Sequence, residues 1–243
     1  MSLRLDQALV AAGLAPSRAR AQALIAEGAV EVDGAVASKP AQKVTDDATL
    51  ALIADPNPWV SRAALKLVHA LDTFGLDPSG AVALDLGAST GGFSEVLLAR
   101  GAAEVRAIDV GHGQLHPRLA GHPRLHLMER LNVRDLTAAH VPPPDWIVSD
   151  LSFISLAKAL PPALALAKPG ATLVALLKPQ FEVGRAFVGK GGIVRDEAAI
   201  ARARADVAAF LAAAGWSVLG ETPSPVPGGD GNAEFLIAAR KTA

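Results

Sequence analysis

The sequence contains no cysteine, which excludes disulfides and thiolate metal sites and suits a reducing compartment. It also lacks any apolar run of the roughly 18 residues that a membrane-spanning helix needs. Its first residues, MSLRLDQALV, have neither the continuous apolar core nor the small-residue cleavage site of a signal peptide. We therefore expect a protein without membrane association, and the cytoplasm is its expected location.

Neither sign of charge is in excess. The 243 residues include 23 Lys and Arg against 24 Asp and Glu, for a formal net charge of −1. Nucleic-acid-binding proteins often carry a basic excess, because neutralised phosphates release counterions, so any basic surface here must be local. The 51% of hydrophobic residues indicate a substantial core. Composition alone thus predicts a globular enzyme or binding protein and says nothing about RNA.

The N-terminal segment, residues 1–54, has the pattern of a small α+β domain made of a helix, a second helix and a hairpin. Apolar residues at helical spacing end at Gly13, and Ser17 is placed to cap the second helix. Asp33-Gly34 between short alternating strands is a strong signal for a tight hairpin.

Residues 61–243 alternate apolar strands with helices, after a proline-containing linker at 55–60. The alternation predicts an α/β fold with a doubly wound, Rossmann-like sheet whose strands are largely parallel. Ligands of such sheets bind outside the carboxyl ends of the strands. The strand candidates are residues 81–86, 105–109, 145–150, 172–178 and 234–239, and the helix candidates are residues 92–100, 155–167 and 196–214.

A glycine-rich loop follows the first of these strands directly, in DLGASTGGF. Its spacing, G-x-x-x-G-G, is neither the G-x-G-x-x-G of dinucleotide-binding proteins nor a phosphate-binding P-loop. Without a cradle for pyrophosphate, S-adenosylmethionine fits this loop better than NAD or ATP; a plain turn and a dehydrogenase loop are the alternatives. The expected cofactor contacts in this segment are Asp85, Gly87, Ser89, Gly91, Gly92 and Phe93.

Polar residues follow the later strands as well. Asp109 ends the second strand, about 20 residues beyond the glycine loop, where an acidic side chain reaches ribose hydroxyls in nucleoside-binding folds. Asn132 and Asp135, in NVRD, are expected at the adenine edge of the cofactor. Asp150, at the end of DWIVSD, is a further expected cofactor contact.

Five motifs, in this order, carry a resemblance to a known family: DLGASTGGF, DLSFIS, LLKPQFE, GKGGIVRD and GNAEFL. They closely resemble the TlyA family of ribosomal RNA 2′-O-methyltransferases, which joins an FtsJ-like methyltransferase domain to an N-terminal RNA-binding domain. The resemblance covers essentially the whole chain, including RLDQALVAAGL and the junction WVSRAALKL. It implies S-adenosylmethionine as the cofactor and ribosomal RNA or ribosomal subunits as the partner.

The resemblance also implies a Lys-Asp-Lys-Glu catalytic tetrad, which falls on Lys66, Asp150, Lys178 and Glu234. A ribose hydroxyl is a poor nucleophile until a base within hydrogen-bonding reach removes its proton. A lysine serves as such a base when desolvation and a second cation favour its neutral amine. Lys178, at a strand end with Lys66 nearby, is therefore the expected general base, and the two carboxylates are expected to orient the ammonium groups.

Each of these residues also has a simpler interpretation. Lys178 alone is typical of a solvated residue at the rim of a sheet, Asp150 alone is typical of a helix cap, and Glu234 alone of a hairpin charge. Asp150 and Glu234 together suggest a divalent metal, but no histidine or third carboxylate keeps a suitable spacing with them. No metal is therefore expected.

RNA contacts are expected from basic residues in both domains. Arg18 and Arg20 open the second helix, where backbone amides also attract phosphate. GKGGIV has the glycines of a hinged loop that closes over an extruded nucleotide. The small domain would supply affinity and the large domain chemistry. The expected contacts are Arg4, Arg18, Arg20 and Lys43 in the small domain, and Arg62, Arg185, Lys190 and Arg195 in the large one.

Two rival functions are compatible with parts of the pattern. A non-catalytic RNA-binding or ribosome-assembly factor would be favoured by a broken tetrad, and no member of the tetrad is missing. A membrane-active haemolysin, a label that relatives of this kind often carry, requires export and an amphipathic or spanning segment, and the sequence indicates neither. The methylated nucleotide, the ribosomal subunit and the oligomeric state, with a monomer among the alternatives, stay open.

Overall fold

The computed structural model describes residues 2–26, 28–37, 39–53, 58–228 and 231–242. The chain divides into two compact units, Met1–Pro58 and Trp59–Ala243. The division falls within the predicted linker at 55–60, of which residues 55–57 lie outside the described part of the chain. Each unit has its own hydrophobic core.

The first unit combines two helices with short strands. Its elements are β1 (Ser2–Arg4), α1 (Leu5–Ala11), α2 (Arg18–Ala26), β2 (Val30–Val32), β3 (Ala35–Val36), β4 (Lys43–Thr45) and β5 (Leu50–Leu52). β2 pairs antiparallel with both β3 and β5, and β1 pairs with β4. The predicted hairpin joins β2 to β3 through Asp33 and Gly34, whose φ angles of 53° and 78° are those of a two-residue type I′ turn.

The predicted helix cap is also present in this unit. The Ser17 hydroxyl accepts a hydrogen bond of 3.3 Å from the backbone N–H of Arg20 at the start of α2. Leu5, Leu9 and Ile25 bury their side chains between the two helices and the strands. The strands β1, β4 and β5 were not predicted, because three residues are too few for a period-two pattern to stand out.

The second unit alternates helices and strands. Its elements are α3 (Ala63–Phe74), β6 (Val82–Leu86), α4 (Gly92–Ala99), β7 (Glu104–Asp109), β8 (Leu125–Glu129), β9 (Trp146–Ser149), α5 (Leu156–Ala159), α6 (Pro161–Leu166), β10 (Thr172–Leu177), α7 (Pro179–Glu182), α8 (Glu197–Ala213), β11 (Trp216–Pro223) and β12 (Phe235–Lys241). Short 3-10 turns lie at Pro117–Leu119, Val133–Asp135, Arg185–Phe187 and Lys190–Gly192.

One sheet holds seven strands in the order β11-β12-β10-β9-β6-β7-β8. The strands from β10 to β8 are parallel, whereas β12 runs antiparallel to both of its neighbours. This confirms the predicted α/β fold. The chain adds β7 and β8 on one side of β6 and then returns to place β9 on the other side. The strand order therefore reverses between β6 and β9, and such switch points are where open α/β sheets bind ligands.

The two faces of the sheet are covered by different helices. Leu84 and Leu86 of β6 pack into a core cluster with α5, α6 and α8, and Ala83 packs into another cluster with α3 and α4. Because successive side chains of a strand point to opposite faces, Asp85 lies on the side of α3 and α4. No helix within the described ranges is both long enough and apolar enough to cross a bilayer.

Several elements of this unit differ from the prediction. The helix predicted over 155–167 is the pair α5 and α6, because Pro161 begins a new helix after Leu160. The four-residue helix α7 was not predicted, and neither were the two strands β8 and β11. Both lie at the edges of the sheet, and the mixture of exposed and half-buried side chains on β11 gives no clear alternation, with Val218 and Leu219 exposed in succession.

Candidate active site

The glycine-rich loop joins the end of β6 to the start of α4. Gly87 has a φ of +85°, and a Cβ atom there would lie 2.8 Å from the carbonyl oxygen of Asp150, so only glycine lets the loop approach the end of β9 this closely. Ser89 donates its backbone N–H to Asp109 Oδ2 at the end of β7, over 2.8 Å. The loop is therefore held against the ends of both neighbouring strands.

Two cavities border this loop. The larger has a volume of about 520 Å³ and includes Asp109 and Asn132. The smaller, of about 230 Å³, includes Gly92, Phe93 and Lys178. The residues that line both cavities are Gly87, Ser89, Asp150 and Ser152. The two spaces are thus contiguous around the loop and the end of β9.

The larger cavity fits a nucleoside. Its volume lies within the range of about 300–1,000 Å³ that is usual for small-molecule sites. The Asp109 carboxylate is oriented by the N–H groups of Ser89 and Gly111, at 2.8 and 2.6 Å, and an ionised carboxylate can accept further bonds from ribose hydroxyls. The Asn132 side-chain oxygen accepts from the N–H of Arg134 at 3.0 Å, which fixes this amide at the cavity wall. These groups fit the nucleoside part of S-adenosylmethionine.

Lys178 and Asp150 directly follow the adjacent parallel strands β10 and β9. Their charged groups form an ion pair of 2.6 Å, and Lys178 Nζ donates a hydrogen bond of 2.9 Å to Ser152 Oγ. The lysine is only 9% exposed and lines the smaller cavity. The charged group of Lys178 is thus buried beside the glycine-rich loop, which we also call the cofactor loop.

Lys66 of α3 and Glu234 form a second buried ion pair, with 2.5 Å between Nζ and Oε2. Glu234 directly precedes β12, which pairs with β10 so that Phe235 lies opposite Leu177. Continuing this register places Glu234 opposite Lys178, and neighbouring strands lie about 4.8 Å apart. The four residues predicted as a tetrad therefore form two ion pairs at the end of the sheet where the parallel strands β9 and β10 have their carboxyl ends.

A family model for FtsJ-like methyltransferases matches residues 59–241, and a model for the S4 domain matches residues 3–50. The 16S/23S rRNA (cytidine-2'-O)-methyltransferase TlyA of Mycobacterium tuberculosis is 48% identical over 239 residues, which cover 98% of this chain and 89% of the relative. The chain belongs to the TlyA family of FtsJ-like methyltransferases. This confirms the predicted family and enzyme class, and S-adenosylmethionine as the cofactor.

Other TlyA-family matches carry hemolysin names. Hemolysin A of Brachyspira hyodysenteriae is 36% identical over 236 residues, which cover 96% of this chain and 98% of the relative. A solved structure named "Putative hemolysin from Streptococcus thermophilus" superposes with a TM-score of 0.78 at 38% identity, and the match covers 99% of this chain and 89% of that one. The similarity thus extends over both units of the chain.

Three residues predicted to contact the cofactor of this TlyA-family enzyme line neither cavity. Asp85 is fully buried and lies on the α4 side of β6. Gly91 has a φ of +95° and lies against Leu119, so that it forms the turn into α4 instead of a cavity wall. Asp135 is exposed at the end of a short 3-10 turn. Strand alternation and loop packing turn these three residues away from the cavities.

Asp85 instead connects the strand to the helix beneath the loop. Its Oδ2 accepts a hydrogen bond of 2.7 Å from Ser94 Oγ of α4, and its Oδ1 has no hydrogen-bond partner among the described residues. Burial raises the pKa of Asp85 to about 7; the bond from Ser94 opposes this rise and the negative charge of Asp150 adds to it. We therefore expect Asp85 to change its protonation near neutral pH.

Sequence reasoning missed the residues that connect the loop after β9 to α7. Phe153 is 92% exposed with a φ of +68°, which is rare for a bulky residue, and its ring centroid lies 5.4 Å from that of Phe181. Glu182 Oε1 accepts a hydrogen bond of 2.8 Å from the N–H of Leu156 at the start of α5. Burial raises the pKa of Glu182, against the effect of this bond. Phe153 lies inside DLSFIS, and Phe181 and Glu182 lie inside LLKPQFE, but only tertiary contacts reveal their pairing.

The carboxylates that a metal site would use are paired with lysines. Asp150 contacts Lys178, and Glu234 contacts Lys66. Within the described ranges, no group of three or more His, Cys, Asp or Glu side chains is arranged to hold a metal ion. The arrangement at this edge of the sheet suits proton transfer and charge balance.

The predicted RNA-binding residues differ in their surroundings. In the first unit, Arg4 and Arg18 contact the buried carboxylate of Asp6 at 3.0 and 3.2 Å, and Gln22 donates to it at 2.8 Å. The bonds from Arg4 and Gln22 hold the pKa of Asp6 well below its usual range. Arg18 and Gln22 thus link α2 to α1, whereas Arg4 contacts Asp6 from the residue that directly precedes α1. Arg20 is half-buried, and the exposed members are Lys43, Arg62, Arg185, Lys190 and Arg195.

Proposed function

We propose that this chain transfers the methyl group of S-adenosylmethionine to a ribose 2′-hydroxyl of ribosomal RNA. The observation that carries the proposal is the buried Lys178–Asp150 ion pair beside a nucleoside-sized cavity. The 48% identical relative is named for cytidine 2′-O-methylation of 16S and 23S rRNA, which makes cytidines of both ribosomal subunits the first substrates to test.

The larger cavity would hold the cofactor. Asp109 would accept the ribose hydroxyls, Asn132 would contact the adenine edge, and the backbone around Gly87 and Ser89 would lie against the rest of the nucleoside. When bound, S-adenosylmethionine supplies a methyl group on a positively charged sulfur. The smaller cavity, with Gly92, Phe93 and Lys178, then remains for the target ribose.

Lys178 is the proposed general base. In its neutral form, Nζ accepts the proton of the 2′-hydroxyl, and Asp150 and Ser152 hold the amine and stabilise the ammonium group that results. The buried Lys66–Glu234 pair lies beside this site. Lys66 balances the negative charge of Glu234, so that the pair adds no net charge near Lys178. The remaining requirement is alignment of the two substrates, which supplies much of the rate in such reactions.

The two units have separate proposed tasks. Residues 1–54, which contain the match to the S4 domain, would supply RNA affinity through Arg4, Arg18, Arg20 and Lys43. Residues 61–243 would carry out catalysis, with Arg62, Arg185, Lys190 and Arg195 as further RNA contacts. The cytoplasm is the proposed location, because the relatives are bacterial and bacterial ribosomal RNA lies there.

The proposal is tested by transfer of labelled methyl from S-adenosylmethionine to unmodified small and large ribosomal subunits, followed by mapping of the label. We expect label on a defined ribose 2′-oxygen. Label on a base would contradict the proposed chemistry, and no transfer to either subunit or to free ribosomal RNA would favour a non-catalytic assembly factor. A liposome-leakage assay on the same preparation tests membrane activity, for which we expect no leakage.

A further inference from the structure

A separate cavity of about 450 Å³ lies in the segment that follows α7. It is lined by residues between Ala186 and Asp196, none of which lines the two cavities at the cofactor loop. Phe187 lies nine residues after Lys178, and an extended chain of that length spans at most about 30 Å. The chain thus limits the separation between Phe187 and Lys178 to about 30 Å.

An aromatic ring forms part of its wall. Phe187 is 39% exposed, and the guanidinium of Arg202 on α8 lies 5.3 Å from the ring centroid, a distance at which a cation is attracted to an aromatic face. Ile193 adds a second apolar group to the lining. Proteins bind single-stranded nucleic acid by combining such aromatic surfaces with nearby positive charge, because every base has a face that can stack.

The positive charge comes from Lys190 and Arg195, which are both exposed and line the cavity. Across the part of the chain that the structure describes, neither side chain pairs with an acidic group, in contrast to Arg4 and Arg18 of the first unit. The acidic side chain in the lining, Asp196, accepts a hydrogen bond of 2.9 Å from the N–H of Ala199 and caps α8. Lys190 and Arg195 are thus available to bind a phosphate, whereas the carboxylate of Asp196 is engaged in capping α8.

A buried amide holds the wall of the cavity in place. Asn232 is 1% exposed; its Oδ1 accepts from the N–H of Val194, and its Nδ2 donates to the carbonyl oxygen of Gly192, both over 2.9 Å. Gly189 N–H donates to the Ile193 carbonyl oxygen over 2.9 Å. Asn232, two residues before Glu234, thus anchors the GKGGIV segment, for which a hinged loop stays a prediction.

We propose that this cavity binds one further nucleotide of the RNA outside the catalytic site, with its base against Phe187 and its phosphate between Lys190 and Arg195. The cavity volume suits a ligand of this size. This inference rests on the proposed function, because it assumes an RNA substrate. The cavity would be a second nucleotide subsite. It would position the RNA and would take no part in the proton transfer proposed for Lys178.

The test compares Phe187→Leu with Phe187→Tyr in the full-length enzyme. Both replacements keep apolar volume, but only tyrosine keeps an aromatic face. Stacking of a base on an aromatic ring is worth about 1–3 kcal/mol, or about 5- to 150-fold in affinity. We expect Phe187→Leu to raise KM for ribosomal subunits about tenfold without changing kcat, the Tm or the affinity for S-adenosylhomocysteine, and Phe187→Tyr to behave as the unmodified enzyme. An unchanged KM in Phe187→Leu, or an equal loss in both variants, overturns the subsite.

The double variant Lys190→Gln, Arg195→Gln tests the phosphate contact independently of the aromatic ring. Losing one phosphate contact reduces the salt dependence of binding to single-stranded nucleic acid by about 0.7 in the slope of log K against log salt. We expect that reduction, and an unchanged slope overturns the phosphate contact. If the unmodified enzyme methylates no ribosomal RNA, the proposed function itself fails; if it methylates normally and these variants match it, only the subsite fails.

Discussion

At the scale of single residues, Lys178 is the proposed general base: it is buried, lines the smaller cavity and contacts both Asp150 and Ser152. General-base catalysis contributes about 10²–10⁴-fold to a rate. We therefore expect Lys178→Ala to lower kcat for methyl transfer by at least about 100-fold. Binding of S-adenosylhomocysteine, measured by calorimetry, should change little, because Lys178 does not line the larger cavity.

The matched control for this variant is Lys168→Ala. Lys168 is also ion-paired, to Asp145 over 2.7 Å, but its side chain is 46% exposed and belongs to neither cavity. Its removal should leave methyl transfer intact. Turnover retained in Lys178→Ala would show that another group accepts the proton.

Asp85 links the stability of the cofactor loop to pH. Its pKa is raised by burial from about 3.8 to about 7, so between these values the folded protein holds a proton that the unfolded chain has lost. The free energy of unfolding must then fall as pH rises through this window. Asp85→Asn cannot ionise and still accepts the bond from Ser94. As the pH rises from 5 to 8, the free energy of unfolding should therefore fall less in this variant than in the unmodified protein, with a difference on the order of 2 kcal/mol.

Urea denaturation at both pH values measures this difference. Asp77→Asn is the control for replacing a carboxylate by an amide, since Asp77 is exposed and accepts a bond from the N–H of Ser79. Equal loss of stability in the unmodified protein and Asp85→Asn would mean that Asp85 is ionised throughout this range.

At the scale of secondary-structure elements, the segment from the end of β9 to the start of α5 is joined to Lys178 and α7 by further contacts besides the Lys178–Asp150 ion pair. Lys178 bonds to Ser152, Phe181 contacts Phe153, and Glu182 accepts from the first N–H of α5. Loss of a helix-capping bond costs about 1 kcal/mol. This connection holds Asp150 and Lys178 in a fixed relation, although Glu182 contacts neither of them directly.

We expect Glu182→Ala to lower the free energy of unfolding by about 1 kcal/mol and to reduce kcat more than it raises KM for RNA, because the base is displaced while the RNA-binding surface persists. Glu182→Gln keeps an acceptor oxygen and should restore both quantities. Glu197→Ala, in the first turn of α8 and exposed, controls for loss of a carboxylate. A purely structural role would show as a lower Tm with unchanged kcat in Glu182→Ala.

At the scale of the whole molecule, the two units each have a separate core. Deleting residues 1–58 should therefore weaken binding to ribosomal subunits while leaving the affinity for S-adenosylhomocysteine unchanged, because all residues of the larger cavity belong to the second unit. Filter binding and calorimetry measure the two affinities. Unchanged RNA affinity in the truncated protein would refute the division of tasks between the units.

Local patterns in the sequence sufficed for much of this protein. Hydrophobic periods of two and 3.6 residues predicted the central strands and main helices, and the glycine spacing indicated a nucleoside, since both signals depend only on neighbours along the chain. The family motifs indicated the four residues of the tetrad. The short and edge strands were missed because they bury too little surface on one side to leave a clear pattern.

Only the tertiary structure decided how these residues combine. The pairing of Lys66 with Glu234, 168 residues apart, depends on how α3 packs near β12. The direction of Asp85 depends on which face of β6 meets α4, and the contact of Glu182 with α5 depends on the register of β9 and β10. Charge pairing, burial and the position of a cavity arise from elements that are distant in the chain, so no local pattern in the sequence encodes them.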